Sequence, residues 1–517
     1  MSNSPINQVA SLMSKSQFFE AEKVLLSILS KSKKDFILLK TLGLCLLLQN
    51  KHKGAMEAYL EADSIKSDDF DVVNNLAHLY LKYEEFQKSY DLALKANRIG
   101  PNKNQPFITL LELDLKKRNF HEARDKIPEI TKRIDFNSLI QNPNVLYSIL
   151  DVYVALKDND NLLKFLNYIN DKVFNPEVFY YQSSALPENL NQRNIDKAKE
   201  VLKFDGFKNP VERAKTLSPI LFGFAKYHEK NKEREISDNY YHLANKEVDK
   251  VQRFMPLENQ KLISRVKNSF LNNQHNFPKK DGKGLIFILG MPRSGTTLVE
   301  SIIASSPKTI SGGELTSFHD LVSSKFDESS EVTVYEDPGK TYLERIKFIR
   351  GENKNFIDKL PGNYHTVGFI NEVFPNAKII YLKRDPWDTA ISIYKQFYVS
   401  NIPYASTFFN IAITYANHEE LMRFWHEECD IQFLTVEYEN LVKDIQNTSK
   451  EIYEFCNIDH VYDAEKRKEH FARTASKNQV NKDVHTTSIG KISFEDKKED
   501  FLNFLENQRL YWKKQRS

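Results

Sequence analysis

The chain has 517 residues, more than one hydrophobic core normally serves, so we expect two or three domains. Its 73 basic and 70 acidic residues leave a formal charge of +3, which argues against a protein that binds nucleic acid by bulk neutralisation of phosphate. The three cysteines lack metal or disulfide spacing, and neither a signal segment nor an apolar run of about 18 residues is present, so a reducing, cytoplasmic location without a membrane span is predicted.

The first third of the chain repeats at an interval of 34 residues. Small residues and mostly aromatic residues recur in two separate registers, at Ala21, Ala55, Ser89 and Ala123 and at Phe18, His52, Phe86 and Phe120. This interval, with small residues where paired helices approach each other, is the tetratricopeptide pattern. It predicts an all-α tetratricopeptide-repeat solenoid over residues 1–135.

The next segment keeps the apolar spacing of helices, but it has no regular 34-residue repeat. Residues 136–270 carry apolar positions at i, i+3 and i+4 and are predicted to form degenerate helical repeats or a capping bundle. Residues 271–284, LNNQHNFPKKDGKG, are polar and contain proline and glycine, which is typical of a linker. A domain boundary is therefore expected there.

Residues 285–517 differ in their pattern of apolar residues and form the last predicted domain. Short runs rich in Ile, Phe and Val, namely GLIFILG, NAKIIYLKR and IQFLTVEY, alternate with helical stretches such as LVESIIASS. This alternation predicts an α/β domain with a mainly parallel sheet. Ligands bind such sheets beyond the carboxyl ends of the strands. Because GMPRSGTT and KRDPWDTAIS each follow a predicted strand, we expect both motifs to share one crevice.

The first of these motifs predicts an anion cradle. Gly290 and Gly295 bracket a loop that enters a helix at Thr296, so backbone N–H groups and a helix N-terminus face one small volume. The P-loop pattern GxxxxGK[ST] has a lysine where this chain has Thr296, and here the cation is Arg293. The loop therefore lacks the residues that handle a metal-bound triphosphate. An ordinary turn is the alternative for a glycine loop taken alone.

The second motif places a cation and a hydroxyl after the strand IIYL. Arg384 offers a planar fork of donors to a phosphate, and Ser392, eight positions later on a predicted helix, adds a hydroxyl. Taken alone, Arg384 is equally well explained as a surface or salt-bridged residue.

The combination of motifs resembles the sulfotransferase superfamily, which transfers a sulfuryl group from 3′-phosphoadenosine 5′-phosphosulfate (PAPS). PRSGTT is similar to the 5′-phosphosulfate loop of that family, and RDPWDTAIS to its 3′-phosphate motif. The resemblance is closer still to tyrosylprotein sulfotransferases and to bacterial chains in which tetratricopeptide repeats precede a sulfotransferase domain. It covers residues 285 to about 495 for the catalytic part, and residues 1–270 only at the level of repeat architecture. It implies a P-loop-type domain that uses PAPS as co-substrate and no metal.

The resemblance also implies a set of site residues. Glu314 matches the acid that acts as general base, Lys359 the lysine that stabilises charge on the leaving phosphate, and Ser476 the serine that assists this lysine. The other implied contacts are Arg293, Ser294, Gly295, Thr296 and Thr297 to the 5′-phosphosulfate, Arg384 and Ser392 to the 3′-phosphate, and Tyr438, Ser476, Gln479 and Lys491 to other parts of the cofactor.

The chain departs from the tyrosylprotein pattern at one cofactor position and lacks the paired cysteines and N-terminal anchor of the eukaryotic enzymes. Where those enzymes place a second arginine after the 3′-phosphate motif, this chain has Lys395 and Gln396. Either residue is therefore a candidate to complete the 3′-phosphate site.

Each assigned role has a plain alternative. Glu314 is alternatively a residue that caps the next helix, Lys359 a solvated loop lysine, and Ser476 an ordinary loop serine. His365, with His319 nearby, is the next candidate for the base if Glu314 is remote from the acceptor. The aromatic residues near the second motif, Trp387 among them, either stack on adenine or pack in a core.

Three classes of function are considered for these residues, and one of them lacks residues that it needs. The preferred one is a PAPS-dependent sulfotransferase acting by in-line displacement on a tyrosine hydroxyl, with carbohydrate, lipid or small-molecule hydroxyls as alternative acceptors. A P-loop kinase or NTPase needs a Walker lysine and a magnesium-binding acid, neither of which is found in the sequence. The third is a repeat scaffold with an inactive nucleotide-binding domain. We expect the repeats to recruit a peptide or protein acceptor, while the acceptor itself and the oligomeric state stay open.

Overall fold

The computed structural model describes residues 5–31, 35–134, 136–141, 143–272, 276–326, 335–398, 402–469, 489–490 and 493–516. The chain divides into two units. The first comprises Met1–Val152 with Glu344–Phe348, and the second comprises Tyr153–Leu343 with Ile349–Ser517.

The first unit is built from helices whose spacing reproduces the 34-residue interval. The second helix of each successive pair begins at one of the four positions that the sequence pattern identified. The helices are α1 Pro5–Ser14, α2 Phe18–Leu29, α3 Phe36–Leu48, α4 His52–Ile65, α5 Phe70–Lys82, α6 Phe86–Ile99, α7 Gln105–Lys117, α8 Phe120–Arg133, α9 Phe136–Gln141 and α10 Pro143–Ala155, which continues into the second unit.

The small repeat residues occupy the places where the paired helices meet. Ala21, Ala55, Ser89 and Ala123 are all fully buried, and the Ser89 hydroxyl satisfies itself by donating to the Ala77 carbonyl at 2.8 Å. The turns before these helices also repeat. Each contains one residue in the left-handed conformation, with φ between 58° and 61°, namely Ser16, Asn50, Glu84 and Arg118. The predicted N-terminal tetratricopeptide-repeat region is confirmed.

The second unit begins with further helices that share a core with the α/β domain. Their bounds are α11 Asn159–Lys172, α12 Pro176–Ala185, α13 Gln192–Leu202, α14 Pro210–Lys230, α15 Arg234–Asp249 and α16 Pro256–Leu271. Helices α14 and α15 repeat the geometry of the solenoid, because Ser237 donates to the Ala225 carbonyl at 2.8 Å and the turn between the helices has a left-handed Lys232. Phe222 and Tyr241 from this pair pack in one cluster with Trp387.

The α/β part of the second unit is a five-stranded sheet with the order β2-β3-β1-β4-β5, and all four strand pairings are parallel. Helices follow every strand. The elements are β1 Leu285–Gly290, α17 Thr296–Ala304, β2 Thr309–Ser311, α18 Ser317–Val322, α19 Pro338–Arg350, β3 Asn355–Lys359, α20 Val367–Val373, β4 Lys378–Lys383, α21 Pro386–Tyr394, α22 Phe408–Arg423, β5 Leu434–Glu437, α23 Tyr438–Lys443, α24 Ile445–Phe455, α25 Ala464–Glu469 and α26 Glu495–Arg516.

The apolar runs of the sequence form the central strands because both faces of this sheet are covered. Every residue of β1 and of β3 is buried, as parallel strands between two helical layers require. One face packs Ile286, Ile288 and Ile357 against α17, and the other packs Phe287 against Phe318. The predicted α/β class with a parallel sheet is confirmed, although NFIDK, which becomes β3, was not among the predicted strands.

Within the described part of the α/β domain, the candidate site residues lie at or after carboxyl ends of these strands. The loop after β1 holds Arg293, the residue after β4 is Arg384, and Tyr438 follows β5, while Lys359 is the last residue of β3. Among the described residues, no helix combines the length and apolar content needed to cross a bilayer.

Candidate active site

The loop between β1 and α17 has backbone angles that only its glycines adopt easily. Gly290 and Gly295 have φ values of +147° and +107°, and Arg293 between them is left-handed at +69°. A Cβ atom on Gly290 would lie 2.5 Å from the Leu382 carbonyl oxygen, and one on Gly295 would lie 2.5 Å from the Tyr438 ring. The glycines are therefore required both by conformation and by the close approach of β4 and α23.

The residues of this loop fit an anion. Gly295 precedes α17 and has no side chain that could cap the first N–H groups of the helix, and the N-terminus of a helix favours an anion. The hydroxyl oxygen of Ser294 is buried and has no hydrogen-bond partner in the part of the chain that the structure describes. Thr296 and Thr297 are buried at the first turn. The loop offers several donors and one cation, as a phosphosulfate requires.

The second motif meets the first at the adjoining strand end. Arg384 donates from Nη1 to the Arg293 carbonyl at 2.9 Å, and Arg293 donates from Nε to the Ser392 hydroxyl at 3.2 Å. Arg384 is only 5% exposed, which excludes a solvated surface role. Burial lowers the pKa of Arg293, and the Arg384 cation acts in the same direction. Two arginines that repel each other in this way form a site that suits a polyanion.

Tyr438 joins these two motifs from the next strand. Its ring lies against Gly295, and the Arg384 guanidinium stands 4.5 Å from the ring centroid. The aromatic face thus orients the arginine by a cation–π contact. Arg293, Arg384, Ser392 and Tyr438 therefore share one crevice at the carboxyl edge of β1, β4 and β5.

Glu314 and Lys359 meet on the other side of β1. The Lys359 ammonium contacts the Glu314 carboxylate, and the lysine side chain is 0% exposed while that of Glu314 is 41% exposed. Lys359 is thus not a solvated loop lysine. Thr316, rather than Glu314, directly precedes α18, so the helix-capping alternative for Glu314 is not what the structure contains.

The two candidates to complete the 3′-phosphate site point elsewhere. Lys395 contacts Glu229 at 3.3 Å, Asp238 at 3.1 Å and the Ser493 hydroxyl at 2.9 Å. Gln396 donates to the Tyr180 hydroxyl at 3.2 Å. Both residues therefore connect α21 to the helices that precede the sheet, and two carboxylates already surround the lysine.

Phenolic groups that the sequence did not assign to the site interact with Arg293, namely Tyr180 from α12 and Tyr398 after α21, and Glu229 on α14 interacts with two nearby lysines. Burial raises the pKa of Tyr180 to about 12 against the opposing field of Arg293, and burial also raises the pKa of Tyr398, which interacts with the same arginine. Burial alone would raise the pKa of Glu229, but the cations of Lys226 and Lys395 outweigh it and hold this pKa at about 2.

The histidine alternative for the base is a buried neutral group. Burial lowers the pKa of His365 to about 3, and the ring Nδ1 lies 3.1 Å from the Gly362 carbonyl oxygen. His418, packed against Tyr364 at 4.7 Å between ring centroids, also has its pKa lowered to about 3 by burial and by His365. Both imidazoles are therefore neutral near pH 7 and are weak bases.

Trp387 packs between Phe408 and Phe501 in the core.

Because the pKa values of His365 and His418 are lowered in the folded chain, we expect the protein to lose stability in acid. Below about pH 6.5 the unfolded chain takes up protons at both, whereas the folded chain does not until about pH 3. Stability is therefore fully present above pH 6.5 and falls as the pH drops, by roughly 2 kcal/mol for one such histidine at pH 5. Thermal unfolding at pH 7.5 and pH 5 should show a smaller shift in a His418→Phe variant than in the wild type, and equal shifts would contradict the assignment.

Three of the implied site residues, Ser476, Gln479 and Lys491, lie outside the described residues. Within those residues, no group of three or more His, Cys, Asp or Glu side chains is arranged to hold a metal ion.

Comparisons with known proteins agree with the α/β geometry. Residues 286–463 match the family model described as the sulfotransferase family. An uncharacterised protein of Aquifex aeolicus is 32% identical over 232 residues, which are 40% of this chain and 30% of that protein. Human sulfotransferase 4A1 is 23% identical over 194 residues, or 35% of this chain and 62% of that protein. The chain thus spans less than two thirds of either relative.

Among solved structures, the crystal structure of a sulfotransferase from Alicyclobacillus acidocaldarius matches with a TM-score of 0.30 and 15% identity, covering 45% of this chain and 93% of that one.

Proposed function

Because residues 286–463 form a domain of the sulfotransferase family, we propose that this protein transfers a sulfuryl group from PAPS to the hydroxyl of a tyrosine in a peptide or protein. The observation that carries the proposal is the meeting of the Arg293 loop with Arg384 and Ser392 at one edge of the sheet, with the Glu314–Lys359 pair at the neighbouring strand ends.

PAPS occupies this edge of the sheet. Its 5′-phosphosulfate lies beyond the end of β1 and its 3′-phosphate beyond the end of β4. The N-terminus of α17, Ser294 and Arg293 hold the 5′-phosphosulfate, and Arg384 with Ser392 holds the 3′-phosphate. Oxygens of a sulfonate are weakly basic, so arginine and lysine cations suffice to stabilise them. Lys395 does not take part in this scheme, since Glu229 and Asp238 surround it.

The reaction is a direct displacement at sulfur. The acceptor oxygen forms the new S–O bond as the bond between sulfur and the bridging phosphate oxygen breaks. The hydroxyl proton passes to the Glu314 carboxylate, and the charge that appears on the leaving phosphate is stabilised by Lys359. The products are a sulfate ester and adenosine 3′,5′-bisphosphate, with the proton on Glu314.

The peptide acceptor is proposed from the resemblance to tyrosylprotein sulfotransferases, and the exposure of the base is compatible with it. Glu314 is 41% exposed, so a tyrosine side chain on a peptide can approach it from solvent. The tetratricopeptide repeats of the first unit are proposed to recruit this peptide. A cytoplasmic location stays a prediction from the sequence.

An Arg384→Ala variant should lose the discrimination between two nucleotides. The guanidinium is assigned to the 3′-phosphate, and a hydrogen bond to a charged group contributes about 1.5–3 kcal/mol, so affinity for adenosine 3′,5′-bisphosphate should fall roughly 10–100-fold. Affinity for AMP, which lacks that phosphate, should fall much less. Calorimetry with both nucleotides measures the difference, and Lys383→Ala, an exposed neighbour at the end of β4, is the control. An equal loss for both nucleotides would place the 3′-phosphate elsewhere.

The function itself is tested by transfer of label. Purified protein is incubated with ³⁵S-labelled PAPS and one class of acceptor at a time. The classes are tyrosine peptides, oligosaccharides and small phenols. Label on the peptides supports the proposal, and label only on another class reassigns the acceptor. No transfer and no calorimetric binding of adenosine 3′,5′-bisphosphate would reject the sulfotransferase activity and favour a repeat scaffold with an inactive domain.

A further inference from the structure

Glu300 is a buried carboxylate beside the proposed reaction centre that the scheme above does not use. It lies on the second turn of α17, five residues after Gly295, and its side chain is 1% exposed. A carboxylate is rarely buried without a cation and hydrogen-bond donors. One oxygen of Glu300 accepts a hydrogen bond from the Ser311 hydroxyl at 2.6 Å, and the other lies 3.8 Å from the Lys359 ammonium.

Lys359 therefore has two carboxylate neighbours, Glu300 and the exposed Glu314. Lys359 is fully buried between these two carboxylates, which differ sharply in their contact with solvent. The ammonium group has one enclosed carboxylate neighbour and one that solvent and substrate can reach.

The same network fixes the loop that carries Glu314. The Ser311 hydroxyl accepts a hydrogen bond from the Gly313 amide at 2.9 Å while it donates to Glu300. The Gly313 carbonyl in turn accepts from the Lys359 amide at 2.9 Å. A continuous path of hydrogen bonds and charge thus links α17, the end of β2 and the end of β3.

The balance of charge during transfer explains why a second carboxylate is needed. Before reaction, the three groups carry one positive and two negative charges. When Glu314 takes the acceptor proton it becomes neutral, and at that moment Lys359 must keep its charge to stabilise the leaving phosphate. Glu300 supplies the negative charge that an ammonium group in a buried site requires.

We propose that Glu300 is a positioning residue that holds the Lys359 ammonium charged and directed at the leaving oxygen while Glu314 is protonated, with Ser311 fixing the carboxylate. The inference rests on the proposed function. Glu300 is expected to affect the rate of transfer and not the binding of the donor.

The test compares Glu300→Gln, Glu300→Asp and Ser311→Ala with the wild type in steady-state transfer from PAPS. Glutamine keeps the size of the side chain and an oxygen for Ser311 but removes the charge, so kcat should fall about tenfold or more. The KM for PAPS and the Kd of adenosine 3′,5′-bisphosphate should stay within about twofold. Aspartate restores the charge at a shorter reach and should recover part of kcat. Ser311→Ala keeps the charge but frees the carboxylate, and should lower kcat roughly threefold.

The outcomes separate the two levels of the argument. A wild-type protein that neither transfers label nor binds adenosine 3′,5′-bisphosphate rejects the proposed function. An active wild type with an unchanged kcat in a folded Glu300→Gln variant overturns the positioning role alone. So does a fall in donor affinity as large as the fall in kcat, because a merely structural residue would produce it. If Glu300→Gln does not fold, wild-type kcat in Ser311→Ala overturns the inference in its place.

Discussion

A Glu314→Gln variant should bind the donor normally and transfer sulfuryl groups to tyrosine peptides about 10²–10⁴-fold more slowly, the range that general-base catalysis contributes. Glutamine preserves the size of the side chain and leaves an oxygen for Lys359, but it cannot accept the proton of the phenol. Because Glu314 is 41% exposed, loss of its surface charge should change stability little. Single-turnover rates and calorimetric affinity for adenosine 3′,5′-bisphosphate measure the two properties separately.

A series of phenols distinguishes a base from a residue that only positions the lysine. A phenol has a pKa near 10, and acceptors of lower pKa reach the site already ionised, so their reaction no longer depends on a base. The loss caused by Glu314→Gln should therefore shrink as the acceptor pKa falls. Glu352→Gln, an exposed acid in the turn before β3, is the matched control. A loss of equal size along the whole series would argue that Glu314 acts only through Lys359.

The repeats and the anion loop could be predicted from the sequence because the determining residues are close together in it. The 34-residue interval depends on the helices of one hairpin and its neighbours, and the helix starts at Phe18, His52, Phe86 and Phe120 follow it directly. Likewise, the strand before Gly290 and the glycines of its loop form a single local pattern. The left-handed turns at Ser16, Asn50, Glu84 and Arg118 were missed, because none of these residues is glycine.

The strand β3 was missed because its charged residues are satisfied by partners outside the strand. Asp358 accepts hydrogen bonds from the Tyr342 hydroxyl at 2.8 Å and from the Asn363 amide at 3.3 Å. Lys359 is paired with two carboxylates, which lie 59 and 45 residues earlier by their numbers. In the sequence, NFIDK therefore has the appearance of a polar segment, and Glu300 that of a surface residue on an ordinary helix.

The helices before the sheet show the same difficulty on a larger scale. The sequence predicts Tyr180 and Glu229 as members of degenerate repeats, but Tyr180 accepts a hydrogen bond from Gln396 and Glu229 contacts Lys395. These contacts join residues more than 160 positions apart. They depend on the common core of Phe222, Tyr241 and Trp387, which no local periodicity reveals.

A Lys359→Met variant should lose both activity and stability, and the two losses have different causes. Removal of one preorganised donor to a developing charge lowers kcat about 10²–10³-fold. Methionine also leaves the Glu300 carboxylate buried with Ser311 but without the cation 3.8 Å away. Breaking a buried ion pair by removing one partner costs about 3–5 kcal/mol. Urea unfolding and single-turnover transfer measure the two effects, with Lys354→Met, an exposed lysine just before β3, as the control.

A double variant separates these causes. In Lys359→Met with Glu300→Gln no charge is buried without a partner, so much of the stability lost in Lys359→Met should return. The rate should not return, since the group that stabilises the leaving phosphate is still missing. Stability and rate recovering together would show that Lys359 maintains the fold of the site and takes no part in the transfer. Recovery of stability alone would assign to Lys359 a direct effect on the transition state.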